Sequence, residues 1–493
     1  MTDDKYAGLD IEVDDVELEG GLGATLLEET EEEVRQEELT KVQTIADPTI
    51  IGVPQVATRA KRKKKRASVF NNGTVAAAVM VFAAIAAVIV ANSPVYETVW
   101  EAIETPIGFG IGHANFSMSI ETFVNDFLMA IFFLLVGIEL KYEMTVGQLK
   151  HIRQAALPML AAVGGVAVPA LIYILINMGG AVHGWAIPIA TDIAFALGVM
   201  SLLGDKISPA TKVFFSTLAI ADDILAIIVI AVAYGQAPDI MWCSAAVGVV
   251  LMLYCMNKAH IYNSRPYIVV GLLLWICMYK SGIHATLSGV ILALFLPVKS
   301  DIKLSAVSDW MVSQSKQLDD FYEDEEHVLG QHHFTSQAHS IERIMRHVTP
   351  PLQRFENAIA VPVNFIILPL FAFVNAQVRL VGVDPSIIVS DPVTQGAYFG
   401  AVLGKPLGII LVTYLLVKIN FAELPKGVNW NQIIAVGLMG GLGFTMSILI
   451  AGLAFADPSH VLSAKCAILA GSISSSLLGI LWVKFRCKDT QEQ

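Results

Sequence analysis

Five ionisable residues stand inside otherwise apolar stretches: Asp126, Asp192, Asp222, Asp223 and Lys405. A charge at the centre of a membrane helix costs roughly 2.5–3.5 kcal/mol on insertion scales, so such groups should face a cavity or one another. Asp222 and Asp223 are adjacent in Leu218-Ala-Ile-Ala-Asp-Asp-Ile-Leu-Ala-Ile-Ile228. Neighbouring side chains on a helix diverge by about 100°. The pair therefore cannot form one flat two-carboxylate clamp: one member can line a cavity while the other turns towards a neighbouring helix. Burial and mutual repulsion favour a protonated carboxyl, and an arriving cation favours the ionised one. A proton and a small hard cation such as Na⁺ would then compete for the same oxygens, which are the donors such cations prefer. The plainer alternative is an N-cap or a structural pair.

Lys405 lies in Gly404-Lys-Pro-Leu-Gly-Ile409, with apolar sequence on both sides. A buried ammonium needs a partner, and Pro406 frees a backbone acceptor nearby. Lys405 reads as the counter-charge to a buried carboxylate or a helix C-terminus, or else as a lysine snorkelling to the interface. Asp192 falls in Pro188-Ile-Ala-Thr-Asp-Ile-Ala-Phe-Ala-Leu-Gly198, where Thr191 and Asp192 are both capping types in mid-span. That pattern predicts a helix broken and restarted inside the membrane. Gly440-Gly-Leu-Gly-Phe-Thr-Met-Ser447 predicts a second interruption, with Thr445 and Ser447 beside it; close helix packing is the alternative. Backbone can be irregular at membrane depth only where it lines a cavity or is buried in protein. Asp126, in Val124-Asn-Asp-Phe-Leu-Met129, is a secondary candidate, as are Glu139 and Glu143 near the inner end of a span, which read equally well as interfacial. His284 reads as a hydrogen-bonded structural histidine.

The elements that must position these residues are membrane helices. Of 493 residues, 55% are hydrophobic and 15% charged, against about 25% charged in soluble domains. The apolar residues come in long blocks, which sets aside an ordinary soluble enzyme. About twelve stretches approach the ~20 residues a bilayer requires, centred near residues 83, 132, 166, 193, 221, 248, 273, 290, 365, 405, 441 and 474. The two interruptions fall in the fourth and eleventh, each the middle of a three-helix group, and the two groups start on opposite sides. The expectation is an all-α polytopic protein with inverted repeats and paired interruptions at a transport site.

Charge placement supports this topology. With the N-terminus inside, 28 of the 32 Lys/Arg fall on inside segments and three outside (Lys280, Arg379 and Lys465); Lys405 is in mid-span. Such asymmetry marks the cytoplasmic side, so both termini are expected to be cytoplasmic, in a cell membrane. Residues 1–60 hold 16 of the 44 acidic and four of the 32 basic residues, enough to account for the net charge of −12. They read as a disordered cytoplasmic tail. Residues 61–72 contain the cluster Lys61-Arg-Lys-Lys-Lys-Arg66, a topogenic anchor with attraction to anionic lipid and no nucleic-acid role. Spans one to eight occupy 73–298 and spans nine to twelve 351–486; 487–493 form a short tail. Between them, 299–350 is polar and carries His327, His332, His333, His339 and His347 at no tight metal spacing, so a solvated cytoplasmic loop is expected. Residues 104–119 are Gly-rich and could form a small hairpin. The five cysteines contain no CxxC and read as buried thiols. No cofactor is expected.

Six strings together resemble the NhaA-type sodium/proton antiporter family: Ala190-Thr-Asp-Ile-Ala-Phe-Ala-Leu-Gly-Val199, Ala221-Asp-Asp-Ile-Leu-Ala-Ile-Ile228, Lys280-Ser-Gly-Ile-His-Ala-Thr286, Leu368-Pro-Leu-Phe-Ala-Phe373, Gly404-Lys-Pro-Leu-Gly-Ile409 and Gly443-Phe-Thr-Met-Ser-Ile448. They occur in the family's order and cover about residues 70–487. The resemblance implies twelve helices with two broken ones crossing near the midplane. It implies that Asp222 and Asp223 carry cation and proton, Asp223 more directly. Asp192 would offset the half-helix N-termini, Lys405 would offset the C-termini and pair with Asp222, and Thr191 would line the site. Glu139, Glu143 and Glu356 match the family's pH-responsive cluster. Tyr142, Gln353, Asn357 and Ala360 stand where that pattern has basic or histidine neighbours, which leaves the pH profile open. The implied activity is electrogenic exchange of cytoplasmic Na⁺ or Li⁺ for external H⁺ by alternating access, serving sodium and pH homeostasis, with no enzymatic reaction. The oligomeric state is open, a homodimer being one option. Two rival readings remain at this level. A Na⁺-coupled organic-anion symporter would need polar groups for its solute. An intramembrane aspartyl protease would draw its two aspartates from different helices.

Overall fold

The computed structural model describes residues 73–487, apart from 112–113, 148–151, 236–237, 301, 324–326 and 426. The acidic stretch 1–60, the basic segment 61–72 and residues 488–493 lie outside the described residues.

Helical segments lie at or directly beside each of the twelve expected centres, with residue 441 in the break between two of them. Among the described residues, nine helices are long and apolar enough to cross a membrane, and the bent pair Trp430–Gly440 and Phe444–Ala454 brings the number to ten. The other two expected spans fall short of that mark. Ser264–Ser281 carries Arg265 and Lys280 near its ends, and Leu287–Phe295 has only nine residues. At 1.5 Å per residue the latter reaches about 14 Å, roughly half a bilayer core.

Local chemistry sets where the helices start. Ser208, Asp239, Asn263, Asp391, Asn429 and Asp457 each occupy an N-cap and accept a backbone N–H of the first turn. Proline then follows at the first helical positions of Pro209–Ala233, Pro392–Phe399 and Pro458–Arg486, where its missing N–H costs nothing. Mid-span prolines act differently. Val363–Ile367 and Gly400–Gly404 wind as π-helix, and each ends two residues before a proline, Pro369 or Pro406. A proline inside a helix cannot bond the carbonyl four residues back, and a wider turn takes up the slack. The second π-turn delivers Lys405 to the start of Lys405–Lys418.

Lipid tails are as apolar as leucine, so helix association here depends on close contact between small residues. Helices Ile152–Ile176 and Lys405–Lys418 approach through Gly164 and Gly408: a Cβ added at Gly408 would lie 2.6 Å from the Gly164 carbonyl carbon and 3.1 Å from the Gly165 nitrogen. Gly408→Ala is expected to cost about 1–3 kcal/mol of overpacking. The check is the thermal midpoint of the detergent-purified protein, which should fall, whereas alanine at Gly248, where an added Cβ meets nothing within 4 Å, should leave it unchanged.

Pro106–Ile111 and Ala114–Ser119 pair as two antiparallel strands where a hairpin is expected, with Pro106 opposite Ser119 and Ile111 opposite Ala114. The polar stretch 299–350 is more structured than a loop. It contains helices Val307–Asp320 and His332–Val348, and Gln337 donates to Gln317 Oε1 at 3.0 Å between them.

Candidate functional site

Two interrupted spans meet at their breaks. In the first, a 3₁₀ segment Val182–Ile189 ends, Ala190 and Asp192 are extended, and Ile193–Leu202 restarts as α-helix. In the second, Trp430–Gly440 stops and Phe444–Ala454 restarts at a 41° bend. The interruptions satisfy each other's exposed backbone and hydroxyl groups. Asp192 N–H donates to Leu442 O at 2.5 Å and Ser447 Oγ to Ile187 O at 2.7 Å, and Thr191 Oγ1 lies 3.2 Å from Gly440 O. The glycines let the chains come this close: a Cβ on Gly443 would lie 2.5 Å from Ala190 O.

Asp192 serves both restarted helices. Its Oδ1 accepts from Phe195 N at 3.0 Å, capping its own half-helix, and its Oδ2 accepts from Thr445 N at 3.3 Å and Thr445 Oγ1 at 2.7 Å on the other. One carboxylate thus meets two helix N-termini, where negative charge is favoured. On the opposite side of each break, Lys405 Nζ donates to Ile189 O, the last carbonyl of the 3₁₀ segment, and Thr191 Oγ1 reaches the last carbonyl of Trp430–Gly440. Asp192→Ala would leave three donors without this acceptor. We expect it to cost about 2 kcal/mol or more, read as a lower thermal midpoint, with Asp192→Asn recovering part of the loss because an amide oxygen still caps.

Asp222 and Asp223 sit midway along the unbroken helix Pro209–Ala233, only 1% and 2% exposed. Asp222 Oδ2 accepts from Lys405 Nζ at 2.6 Å and Thr191 Oγ1 at 2.6 Å. Lys405 is itself fully buried, so this ion pair lies in a low-dielectric interior. The other oxygen of Asp222 and Oδ1 of Asp223 are buried without hydrogen-bond partners. Two carboxylate oxygens are thereby left open beside one that is fully engaged. The charged groups acting on Asp223 are Asp222, Lys405, Asp192 and Glu139.

The geometry therefore gathers Thr191, Asp192, Asp222, Asp223 and Lys405 at the crossing. Glu139 is half-buried on the neighbouring span Ile120–Thr145 and interacts electrostatically with Glu143 and Glu356 as well. Asp126 is held apart, in the π-helical turn Phe123–Leu128, its backbone carbonyl accepting Trp275 Nε1 at 3.2 Å. His284 Nε2 donates to Tyr234 O at 3.0 Å, and burial pushes its imidazole below the ordinary value. The Tyr234 hydroxyl, pushed up to about 12 by burial, donates to His183 O at 2.6 Å and so holds the start of the first broken span. Among the described residues no group of three or more His, Cys, Asp or Glu could hold a metal ion.

Sequence reasoning did not foresee the Thr445–Asp192 contact, nor the mutual amide bonds of Asn125 and Asn375, at 2.7 and 3.2 Å. Asn125 is adjacent to Asp126 in an apolar run, and a polar side chain there is the signal that marks it.

The family model described as Na+/H+ antiporter 1 matches residues 67–483. A relative from Janthinobacterium sp. (strain Marseille), "Na(+)/H(+) antiporter NhaA", is 43% identical over 416 residues, covering 84% of this chain and 91% of the relative. Proteins of the same name from Wolinella succinogenes and Helicobacter pylori (strain J99) are each 41% identical, over 83% and 81% of this chain and 90% of either relative. A solved structure of the sodium proton antiporter MjNhaP1 from Methanocaldococcus jannaschii covers 84% of this chain and 95% of its own, at 13% identity and a TM-score of 0.44, too loose a likeness to carry an argument. The chain belongs to the Na+/H+ antiporter 1 family, the NhaA-type antiporters, and is a transporter rather than an enzyme.

Proposed function

We propose that the chain exchanges Na⁺, and Li⁺ by the same chemistry, for H⁺ at Asp222 and Asp223. The observation that carries this reading is the pair of unpartnered buried carboxylate oxygens, Asp222 Oδ1 and Asp223 Oδ1, beside a crossing of two broken helices. Asp223 is the principal carrier, because Asp222 already has one oxygen committed to Lys405 and Thr191. From the cytoplasmic side, Na⁺ displaces protons from the pair; from the outside, protons displace Na⁺. Asp192 offsets the two N-termini and Lys405 the facing C-terminus, so the breaks carry little net field when the pair is neutral. Access alternates between the two sides. Two carboxylates cycling together let more than one proton move per Na⁺, and the membrane potential then contributes about 2.3 kcal/mol per charge per 100 mV. The Lys/Arg asymmetry supports cytoplasmic termini in a cell membrane with twelve crossings, Ser264–Ser281 and Leu287–Phe295 included.

The test is a pulse of Na⁺, Li⁺ or K⁺ added to sealed vesicles that hold a proton gradient and a pH-sensitive dye. Na⁺ and Li⁺ should collapse the gradient and K⁺ should not. An organic-anion symporter would instead need an added solute and leave the dye unmoved, and that result would overturn the proposal.

A further inference from the structure

A second concentration of charge lies away from the aspartate pair. A cavity of about 580 Å³ is lined by Asn263, Arg265, Arg343, Arg346, His347 and Arg354. It forms where the start of Ser264–Ser281, the last turns of His332–Val348 and the first turn of Pro351–Pro362 come together. Among the described residues its lining contains no carboxylate. The one acidic contact recorded for its arginines is Glu342 Oε1, 3.0 Å from Arg346 Nη2 and one turn along the same helix. Arg354 is anchored by Nη2, which donates to Tyr262 O at 2.6 Å, while its Nε is buried without a partner. Arg265 and Arg343 have no ion pair among the described residues. Among the described residues, four guanidinium charges less the Glu342 carboxylate leave an excess of three positive charges around one space.

The helix dipole favours only two of these five basic residues. Arg346 and His347 sit in the last turn of His332–Val348 and complement its negative end. Arg265 and Arg354 sit in first turns, where the helix dipole repels a cation. Their place on the basic side follows the topology, and an anion bound between them would offset the repulsion at these first turns and engage the buried Arg354 N–H left open. Guanidinium forks match phosphate oxygens in pairs, and helix N-termini add backbone N–H groups.

We propose that this cavity binds a phosphate-class anion through Arg265, Arg343, Arg346 and Arg354, and that the bound anion ties the helical insert 307–348 to the two neighbouring helices. The phosphate comes either from a soluble phosphoanion or from the headgroup of an anionic lipid. The positively charged side of the membrane body, on which all four arginines are expected to lie, suits either source.

The experiment titrates the full-length protein in neutral detergent with potassium pyrophosphate, with potassium chloride at matched ionic strength as reference, and reads the thermal midpoint. A parallel arm compares the protein in phosphatidylcholine vesicles with and without phosphatidylglycerol. A saturable rise with pyrophosphate supports the site and a soluble ligand. A rise confined to phosphatidylglycerol vesicles supports the site and a lipid headgroup. In the triple variant Arg265→Gln/Arg343→Gln/Arg346→Gln the half-maximal concentration should rise by about tenfold or more. The single variant Arg343→Gln, at an exposed position, should show a smaller shift in the same direction and serves if the triple variant does not fold. No rise beyond the chloride reference in either arm, or an unchanged half-maximal concentration in the variants, would overturn the proposal.

Discussion

Asp223→Asn should reduce Na⁺-driven proton movement to the leak of protein-free vesicles while leaving the protein folded. The substitution keeps side-chain volume and removes only the ability to take up and release a proton or to hold a cation by charge. Asp223 Oδ1 is buried without a hydrogen-bond partner, so an amide there breaks no bond recorded for that oxygen. Neutralising a buried acid flanked by Asp222 also removes like-charge repulsion. The thermal midpoint of the variant should therefore match or exceed that of the parent. The measurements are dye dequenching in vesicles matched for protein content and thermal unfolding in detergent. Exchange at a rate comparable to the parent would remove Asp223 from the mechanism, whereas loss of exchange together with loss of the folded protein would show a structural role.

Lys405→Met should act in the opposite sense, on stability first. Lys405 and Asp222 form a 2.6 Å ion pair with both side chains essentially unexposed. Removing one partner of such a pair strands the other charge, at a cost of about 3–5 kcal/mol. Lys405 also donates to Ile189 O at the first helix break, so the variant loses a tie to the crossing as well. The thermal midpoint should drop by more than for any surface lysine. The double variant Lys405→Met/Asp222→Asn should recover much of the loss, because no unpaired charge remains. If the single variant unfolds at the parent temperature, the pair does not hold the site together; if the double variant is no better than the single, the loss comes from packing or from the Ile189 contact.

The parts of this protein that were legible in its sequence are those where burial makes a residue type expensive. An aspartate pair or a lysine in a run of alanine, isoleucine and leucine has few tolerable surroundings, so Asp222, Asp223 and Lys405 could be singled out without knowing the fold. Capping residues at 191–192 and glycines at 440–443 likewise showed where helices must stop. The meeting of the two breaks was not legible as residue contacts. That Thr445 bonds Asp192 depends on two segments about 250 residues apart sharing one point, and nothing local encodes it. Ser264–Ser281 and Leu287–Phe295 are hard to delimit from sequence because only Lys280 and a Ser-Gly pair separate two apolar runs. The helix His332–Val348 was missed for another reason. Its charges and histidines dominate its composition, while Phe334, Ala338, Ile341, Met345 and Val348 recur at helical spacing and carried the signal. The arginine cavity draws on three separate stretches between 263 and 354, and only the folded chain assembles it.

The central claim is that a proton and Na⁺ are alternative occupants of the same carboxylate oxygens. The most direct measurement is the Na⁺ concentration giving half-maximal exchange across a series of pH values on the acidic side of the working range. Competition predicts that this concentration rises about tenfold for each unit of acidification when one proton is displaced, and more steeply when two are. A half-maximal Na⁺ concentration that stays constant while pH falls would contradict the account.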